Sequence, residues 1–567
     1  MSEAQGRATL ARWLPFLAWP RPDAKLMRGE ILAGLTVSLI IVPQSVAYAA
    51  LAGMPLVTGI YAAFLPALVA VLWSASPRLS VGPTALTSLL VMASLSGLAE
   101  PGSPQWVSLA VWLALLSGLM QLALGGWRFA WILNLVSAPV LSGFTQAATV
   151  LIILSQLPSL IGLEGSWASL LDAPRLDAAT AAFGLGSLAL LVVGRKVAPR
   201  FPVVMLVVVG AGAISYLSGY AAHGGAIVGL LPSGLPGFYW PGIPAWGALA
   251  GLLVPAMVIT LVSFLETASS AKVENQSVRK PWNDNQDLIA QGLAKLASGL
   301  TGGFPTSSSF SRSAINLYAG AQTGWATLVT VLMVLVVLLW LTPTLYYVPS
   351  PVLAAVVVAA VSSLFQPGRF VSLWRVLRVE ALTMGVTFVV TLVTAPRIYW
   401  GVLAGVMVSL IAFLHQRLHP RIIEVGLHPD GSLRDRHLWK LPPLADDMYA
   451  LRMDAELDFA AASSFERNVS EYLLAHPQTR HVCLFAQPIN RIDATGVEVF
   501  SALRTSLAAQ GVTLHISGMK LPVEQVLARA GQMHASPLLK LYRTDADAIA
   551  SLASVTNVQG QAPGSQI

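Results

Sequence analysis

The chain has 567 residues, 55% of them hydrophobic and only 11% charged, with a formal net charge of +7. A soluble globular protein carries roughly 25% charged residues, so most of this chain cannot be an ordinary water-soluble enzyme or binding domain. The positive balance is no nucleic-acid signal either, because the Lys and Arg side chains sit in short loops between apolar runs.

Residues 1–30 carry Arg7, Arg12, Arg21, Lys25 and Arg28 and lack a short apolar core with a cleavage site. They predict a cytoplasmic N-terminal segment, not a removable signal peptide. A membrane domain is predicted over 31–420. Fourteen apolar segments start near 31, 57, 81, 106, 131, 178, 202, 248, 288, 308, 322, 350, 381 and 397, many of them about the 18 residues that cross a bilayer. Alternate loops hold Arg78, Arg128, Arg195, Lys196, Arg200, Lys272, Arg279, Lys280, Arg369, Arg375 and Arg378. Residues 219–247 hold no Lys or Arg, and 158–177 hold Glu164, Asp172 and Asp177 against Arg175. This alternation predicts an even number of spans with both ends cytoplasmic, in a plasma membrane or cell inner membrane.

Two segments are poor lipid-facing helices. The third opens Leu79-Ser80-Val81-Gly82-Pro83-Thr84, and the tenth opens Gly302-Gly303-Phe304-Pro305-Thr306-Ser307. Backbone that breaks at membrane depth needs protein or a cavity around it. Each break falls third in its half, which predicts an inverted-repeat transporter with its site between the two breaks. Plain re-entrant loops are the alternative.

After about residue 420, charge returns at soluble density. A domain over 435–556 is predicted from strands at 448–453, 481–486 and 512–517 alternating with helices at 460–474, 493–509 and 521–530, a small α/β layer fold. Residues 557–567 read as a disordered tail. Cys483 stands alone, so no intramolecular disulfide is expected. There is no His/Cys cluster with metal spacing and no P-loop, so neither a catalytic site nor a cofactor, metal or nucleic-acid partner is predicted.

Several motifs together resemble a known family. Val42-Pro43-Gln44-Ser45-Val46-Ala47-Tyr48-Ala49, then Leu51-Ala52-Gly53-Met54-Pro55 and Gly59-Ile60-Tyr61, are similar to the first-span signature of the SulP sulfate permeases, also called solute carrier family 26. Ser308-Ser309-Phe310-Ser311-Arg312-Ser313-Ala314-Ile315-Asn316, then Ala319-Gly320-Ala321-Gln322-Thr323, resemble its tenth segment, and Asn490-Arg491-Ile492-Asp493-Ala494-Thr495-Gly496 resemble its STAS domain. The resemblance implies an all-α polytopic membrane domain of seven-plus-seven inverted topology. Its core comprises spans one to four and eight to eleven, its gate the remaining spans. A cytoplasmic STAS domain follows. The resemblance further implies a homodimer that moves sulfate, bicarbonate, chloride or a dicarboxylate by sliding core past gate.

An anion at the bilayer midplane needs compensation without bulk water. Two half-helix N-termini supply unpaired N–H groups and partial positive charge. One is expected near Thr84 and Ala85, the other near Ser309 to Ser311. Arg312 lies in the first turn of the latter, and an Arg inside a membrane segment is functional by default. Its planar fork matches an oxyanion, though it could instead pair with Glu266. Gln44 and Tyr48 share a helix face and offer neutral donors; they could equally bond a neighbouring helix and pack. The resemblance favours a binding role for all three, with sulfate as the expected substrate.

Glu266 is either a carboxylate that binds a coupling proton or Na⁺, or an interfacial partner of Lys272. With Ser270 it resembles the acid-plus-hydroxyl arrangement of sodium-coupled bicarbonate members. With Arg312 it resembles proton-coupled sulfate members, so symport of sulfate with a proton is the leading expectation. Sodium-coupled bicarbonate or dicarboxylate transport and a passive channel or exchanger are the alternatives. Thr495 is a candidate phosphorylation site by the same resemblance, or a plain helix cap. Phe485 stands where relatives often carry Asp.

Overall fold

The helix starts follow local capping chemistry in this computed structural model, which describes residues 14–163, 177–198, 202–279, 281–534 and 536–555. Arg7, Arg12, Glu164, Asp172, Arg175, Arg200, Lys280 and the tail at 557–567 lie outside the described residues. Asp23 caps α1 (Ala24–Leu51) by accepting the Leu26 N–H at 2.7 Å. Ser103 caps α4 (Pro104–Gly126), whose Pro104 stands where the helix needs no N–H.

Between and after these lie α2 (Leu56–Trp73), β1 (Val81–Gly82), α3 (Ala85–Leu95), α5 (Ala138–Ile161), α6 (Ala178–Val197) and α7 (Val203–Ser218). The second half runs α8 (Trp246–Val278), α9 (Asp284–Leu300), β2 (Ser307–Ser308), α10 (Phe310–Tyr318), α11 (Trp325–Val336), α12 (Ser350–Ser362), α13 (Gly368–Val376), α14 (Arg378–Val393) and α15 (Tyr399–Leu418). A helix stands at or just after each expected segment start, and among the described residues eight helices are long and apolar enough to cross a membrane. The fifth begins at Ala138, after a 3-10 turn at Ala130–Leu135 occupies its expected start. The short exposed helix α13, with Arg369 and Arg375, is an addition to the expected set.

The packing pairs repeat between the two halves of the chain, as an inverted repeat requires. α1 lies on α11 as α8 lies on α4; α4 lies on α9 as α11 lies on α2; α5 lies on α14 as α12 lies on α6. Each pair maps onto the other when an element is exchanged for its counterpart in the other half. Two helix groups result, α1–α4 with α8–α11 and α5–α7 with α12, α14 and α15. They meet where α1 and α3 lie against α5, α7 and α12. Close backbone approach explains the glycines at the crossings. A Cβ at Gly59 would meet the Ser45 carbonyl oxygen at 1.9 Å, and Gly118 and Gly292 each face the other's carbonyl.

Buried carboxylates lock the first helix group. Glu30 on α1 accepts the N–H groups of Gln322, Thr323 and Ala326 at 2.9, 2.8 and 2.8 Å, so it caps the start of α11 from another helix. Asp287 on α9 holds Ser74, Ala75 and Ser76 in the same manner, beyond the end of α2. Hydrogen bonds to charged acceptors contribute about 1.5–3 kcal/mol each.

The C-terminal unit spans residues 410–567. Its sheet has the order β4–β3–β5–β6–β7–β8, with β3 (Ile422–Leu427), β4 (Leu433–Asp435), β5 (Met448–Met453), β6 (His481–Phe485), β7 (Thr513–Ser517) and β8 (Leu539–Tyr542). Strands β5 to β8 are parallel, while β3 and β4 add an antiparallel pair on one side, over residues 422–435. Helices α16 (Arg436–Trp439), α17 (Ala462–Ala475), α18 (Ala494–Ala509), α19 (Leu521–Arg529) and α20 (Asp545–Val555) complete the unit. Asp493 caps α18, accepting the Gly496 N–H at 2.8 Å. The capping alternative for Thr495 is therefore corrected: Thr495 is exposed in the first turn, because the residue before the helix supplies the cap.

On strand β7 of this sheet His515 is fully buried, with its ring nitrogens 3.1 Å from His481 Nδ1 on β6 and 3.1 Å from the Tyr542 hydroxyl on β8. Burial, with His481 and Lys540 beside it, pushes its pKa down to about 4. Asp447 faces His481 at 4.0 Å, too far to offset this. The native state thus holds His515 neutral, while the unfolded chain protonates near pH 6.5. The stabilisation is complete above that pH and is lost as pH falls toward about 4. Amide protection of β6–β8 should fall over this window, and fall less steeply in His515→Gln, where only His481 remains; an equal slope in both proteins would reject the assignment.

Candidate anion site

The two broken segments meet as a short antiparallel ladder. Val81 pairs with Ser308 and Gly82 with Ser307. The Ser309 N–H donates to the Ser80 carbonyl at 2.9 Å, and the Ser80 N–H donates to Ser313 Oγ at 2.9 Å. Both strands then turn into helices. Thr84 caps α3 in a reciprocal capping box with Thr87, and Ala85 is its first, buried residue. Ser309 caps α10, with Ser311 Oγ 3.3 Å from its hydroxyl. The expected helix starts are therefore where the sequence places them. Two helix N-termini, each with unpaired N–H groups, are joined by the ladder.

Arg312 lies between them, 1% exposed. Its Nε donates to Ser80 Oγ at 3.2 Å, Nη1 to Gln44 Oε1 at 3.3 Å and Nη2 to the Pro83 carbonyl at 2.9 Å. All three acceptors are neutral, and among the described residues no carboxylate lies within 4.0 Å of it. The pairing of Arg312 with Glu266 is thus absent from the structure. Of its five N–H donors, one on each terminal nitrogen remains beyond these contacts. Those two remain for the oxygens of an anion. Gln44 does bond a neighbouring helix, and the bond is to this guanidinium. Tyr48 is buried one turn further along α1 within the apolar cluster.

Glu266 on α8 receives the Thr84 hydroxyl at 3.1 Å, so it touches the cap of α3 directly. Lys272 is exposed and makes no ion pair with it among the described residues, which disposes of the interfacial alternative. Ser270 is buried and donates to the Glu266 backbone carbonyl at 3.0 Å. The structure thus draws Gln44, Thr84, Ala85, Glu266, Ser309, Ser311 and Arg312 into one region, and turns Ser270 back onto its own helix. Thr495 lies in the C-terminal unit.

Sequence reasoning passed over Ser80, whose hydroxyl and backbone both serve the ladder, and Lys295. Lys295 is fully buried on α9, and the rule that marks Arg312 also marks a lysine inside an apolar segment. Among the described residues no group of three or more His, Cys, Asp or Glu is placed to hold a metal ion.

Comparison with known proteins agrees with this architecture. The family model of the Sulfate permease family matches residues 27–387, and that of the STAS domain matches residues 443–548. The chain belongs to the sulfate permease family. Across 557 residues it is 30% identical to the chloroplastic sulfate transporter 4.1 of Arabidopsis thaliana, covering 92% of this chain and 79% of that protein. It is also 30% identical over 574 residues to a sodium-independent sulfate anion transporter of Bos taurus, covering 94% and 90%. The structure of the murine Solute Carrier 26 family member A9 anion transporter in the inward-facing state superposes with a TM-score of 0.86 at 21% identity, covering 98% of this chain and 96% of that one. This likeness extends to the fold of a sulfate permease: an apolar helical membrane domain followed by a STAS domain. Within that family frame the ladder, the two caps and Arg312 occupy one enclosed point of the first helix group.

Proposed function

We propose that this sulfate permease is a secondary active transporter of an inorganic oxyanion, sulfate, driven by proton symport. The observation that carries the reading is the buried Arg312 fork. It lies between two helix N-termini, is bonded only to neutral oxygens, and keeps two N–H donors beyond its protein contacts. Neutral hydrogen-bond partners leave the fork without a directly bonded counter-charge, and an anion fits that place. The names of the relatives from Arabidopsis thaliana and Bos taurus support sulfate as that anion. Glu266 is the coupling group, because it is a carboxylate bonded to the cap of α3. A proton fits better than Na⁺: the Ser270 hydroxyl is spent on a backbone carbonyl, and the bovine relative is described as sodium-independent.

In this reading the helix group α1–α4 with α8–α11 carries the anion past the other group in an elevator-type movement. The protein sits as a homodimer in a plasma membrane or cell inner membrane with both ends in the cytoplasm. The STAS domain acts as a regulatory unit separate from the membrane domain, and Thr495 is its exposed hydroxyl for phosphorylation. Purified protein in proteoliposomes should accumulate labelled sulfate under an inward proton gradient, with competition by other oxyanions. Uptake that responds to Na⁺ but not to pH would replace the proton with sodium. Uptake of no anion at all would reject the transport reading.

A further inference from the structure

Among the described residues Lys295 is the one fully buried basic side chain of this region that the proposed cycle does not use. Its Nζ lies 2.8 Å from Gln121 Oε1 on α4 and 3.0 Å from Ser263 Oγ on α8. Both atoms face it as acceptors. The Gln121 amide nitrogen is turned away, donating to the Thr260 carbonyl at 3.2 Å and to Ser263 Oγ at 3.1 Å. The Ser263 proton is directed to the same Thr260 carbonyl at 3.3 Å. An ammonium has three donors and no acceptor, so two acceptors and no donor facing Nζ accommodate the charged form.

That charge borders the anion site. Ser263 is one turn before Glu266 on the same face of α8, and its carbonyl accepts the hydroxyl of Ser307 in the ladder at 3.0 Å. Gln291, one turn before Lys295 on α9, donates to Ser308 Oγ in the ladder at 2.9 Å. Other titratable groups nearby are few. α4 carries none, and α2 carries only Tyr61. On α8, Glu274 is paired with Arg78 at 3.1 Å and Lys272 is exposed. On α9 itself, Asp284 accepts from Asn285, and Asp287 is bonded to residues 74–76 and to Trp282. From α10 there is Arg312, and from α1 there is Tyr48.

We propose that Lys295 is a specificity-determining residue of the anion site, the third fixed charge that lets a divalent anion travel with a single proton. The proposal rests on the transport reading above. Arg312 and Lys295 against Glu266 leave the empty site with one positive charge. A divalent anion together with one proton on Glu266 brings it to zero. A monovalent anion does the same with no proton. Net charge at membrane depth is costly, so the neutral loaded states are the ones that cross. Without the lysine charge, the divalent load keeps one negative charge even when Glu266 is protonated, and the monovalent load becomes neutral only when Glu266 is protonated.

The test compares full-length wild type, Lys295→Gln and Lys295→Arg in proteoliposomes, with labelled sulfate as divalent probe and labelled nitrate as monovalent probe. In Lys295→Gln the ratio of sulfate to nitrate uptake should fall at least about tenfold, the effect of stranding one charge at membrane depth. Its nitrate uptake should become dependent on acidic pH. Lys295→Arg should keep the wild-type ratio and pH profile. An unchanged ratio in Lys295→Gln, or a parallel fall for both anions, would assign the lysine to structure alone and overturn the proposal. An arginine variant that behaves like the glutamine variant would overturn it too, because charge would then not be what acts. A wild type that takes up neither anion would defeat the transport reading and this proposal with it.

Discussion

Replacing Arg312 with alanine is expected to abolish anion uptake, with a loss of at least about a hundredfold, while the protein still inserts and folds. A charged hydrogen bond contributes about 1.5–3 kcal/mol, and a bidentate contact to an oxyanion loses two of them, together with the charge itself. The protein-side cost is smaller. Gln44 Oε1, Ser80 Oγ and the Pro83 carbonyl lose a donor, but the β1–β2 ladder and both helix caps are made without the Arg312 side chain and should persist, the α10 cap using only the backbone N–H of residue 312. Arg312→Lys should recover part of the binding, because it restores charge without the planar fork. Sulfate binding and uptake, measured beside thermal stability in detergent, check the claim. Wild-type affinity and rate in purified Arg312→Ala would make the arginine structural and move the site elsewhere.

Glu266→Gln is expected to uncouple the transporter. Glutamine keeps the size of the side chain and an oxygen that can accept the Thr84 hydroxyl, now 3.1 Å from the carboxylate. It cannot take up a proton. In the proposed cycle a bound anion adds negative charge beside Glu266, and a proton removes it, so each ligand strengthens the binding of the other. The variant should therefore lose stimulation by an inward proton gradient and retain anion binding and exchange. If Glu266→Gln remained fully gradient-driven, the coupling group would lie elsewhere. Variants at Ser270 should leave coupling intact, since its hydroxyl is held by the Glu266 carbonyl.

Much of the site was legible because its local parts are local. Thr84 and Ser309 can be read as helix caps from their own neighbours, since a cap satisfies N–H groups only two or three residues on. Arg312 announces itself by the cost of a charge in an apolar segment. The alternatives left open by the sequence concerned partners. Whether Glu266 faced Lys272, Arg312 or a cap could not be read from spacing, because Thr84 lies 182 residues away. Lys295 was legible by the rule that found Arg312, but its meaning depends on Gln121, 174 residues distant. In the C-terminal unit the parallel strands β5 to β7 follow alternating strand and helix patterns. The short edge strands β3 and β4 do not, since three to six residues beside a charged turn carry no periodicity of their own.

By itself, then, the sequence determined the membrane class, the change from apolar to soluble composition, the two broken segments and the helix starts that follow them. These depend on hydropathy and on hydrogen bonds between near neighbours. The tertiary structure alone decided that the breaks pair as a ladder, that Arg312 faces Gln44 from 268 residues away, that Glu30 caps α11 and that Lys295 borders the site. Each of those joins elements from opposite halves of the chain. Such contacts are selected by the packing of an inverted repeat, in which the burial of a polar group is tolerated only where a distant partner satisfies it.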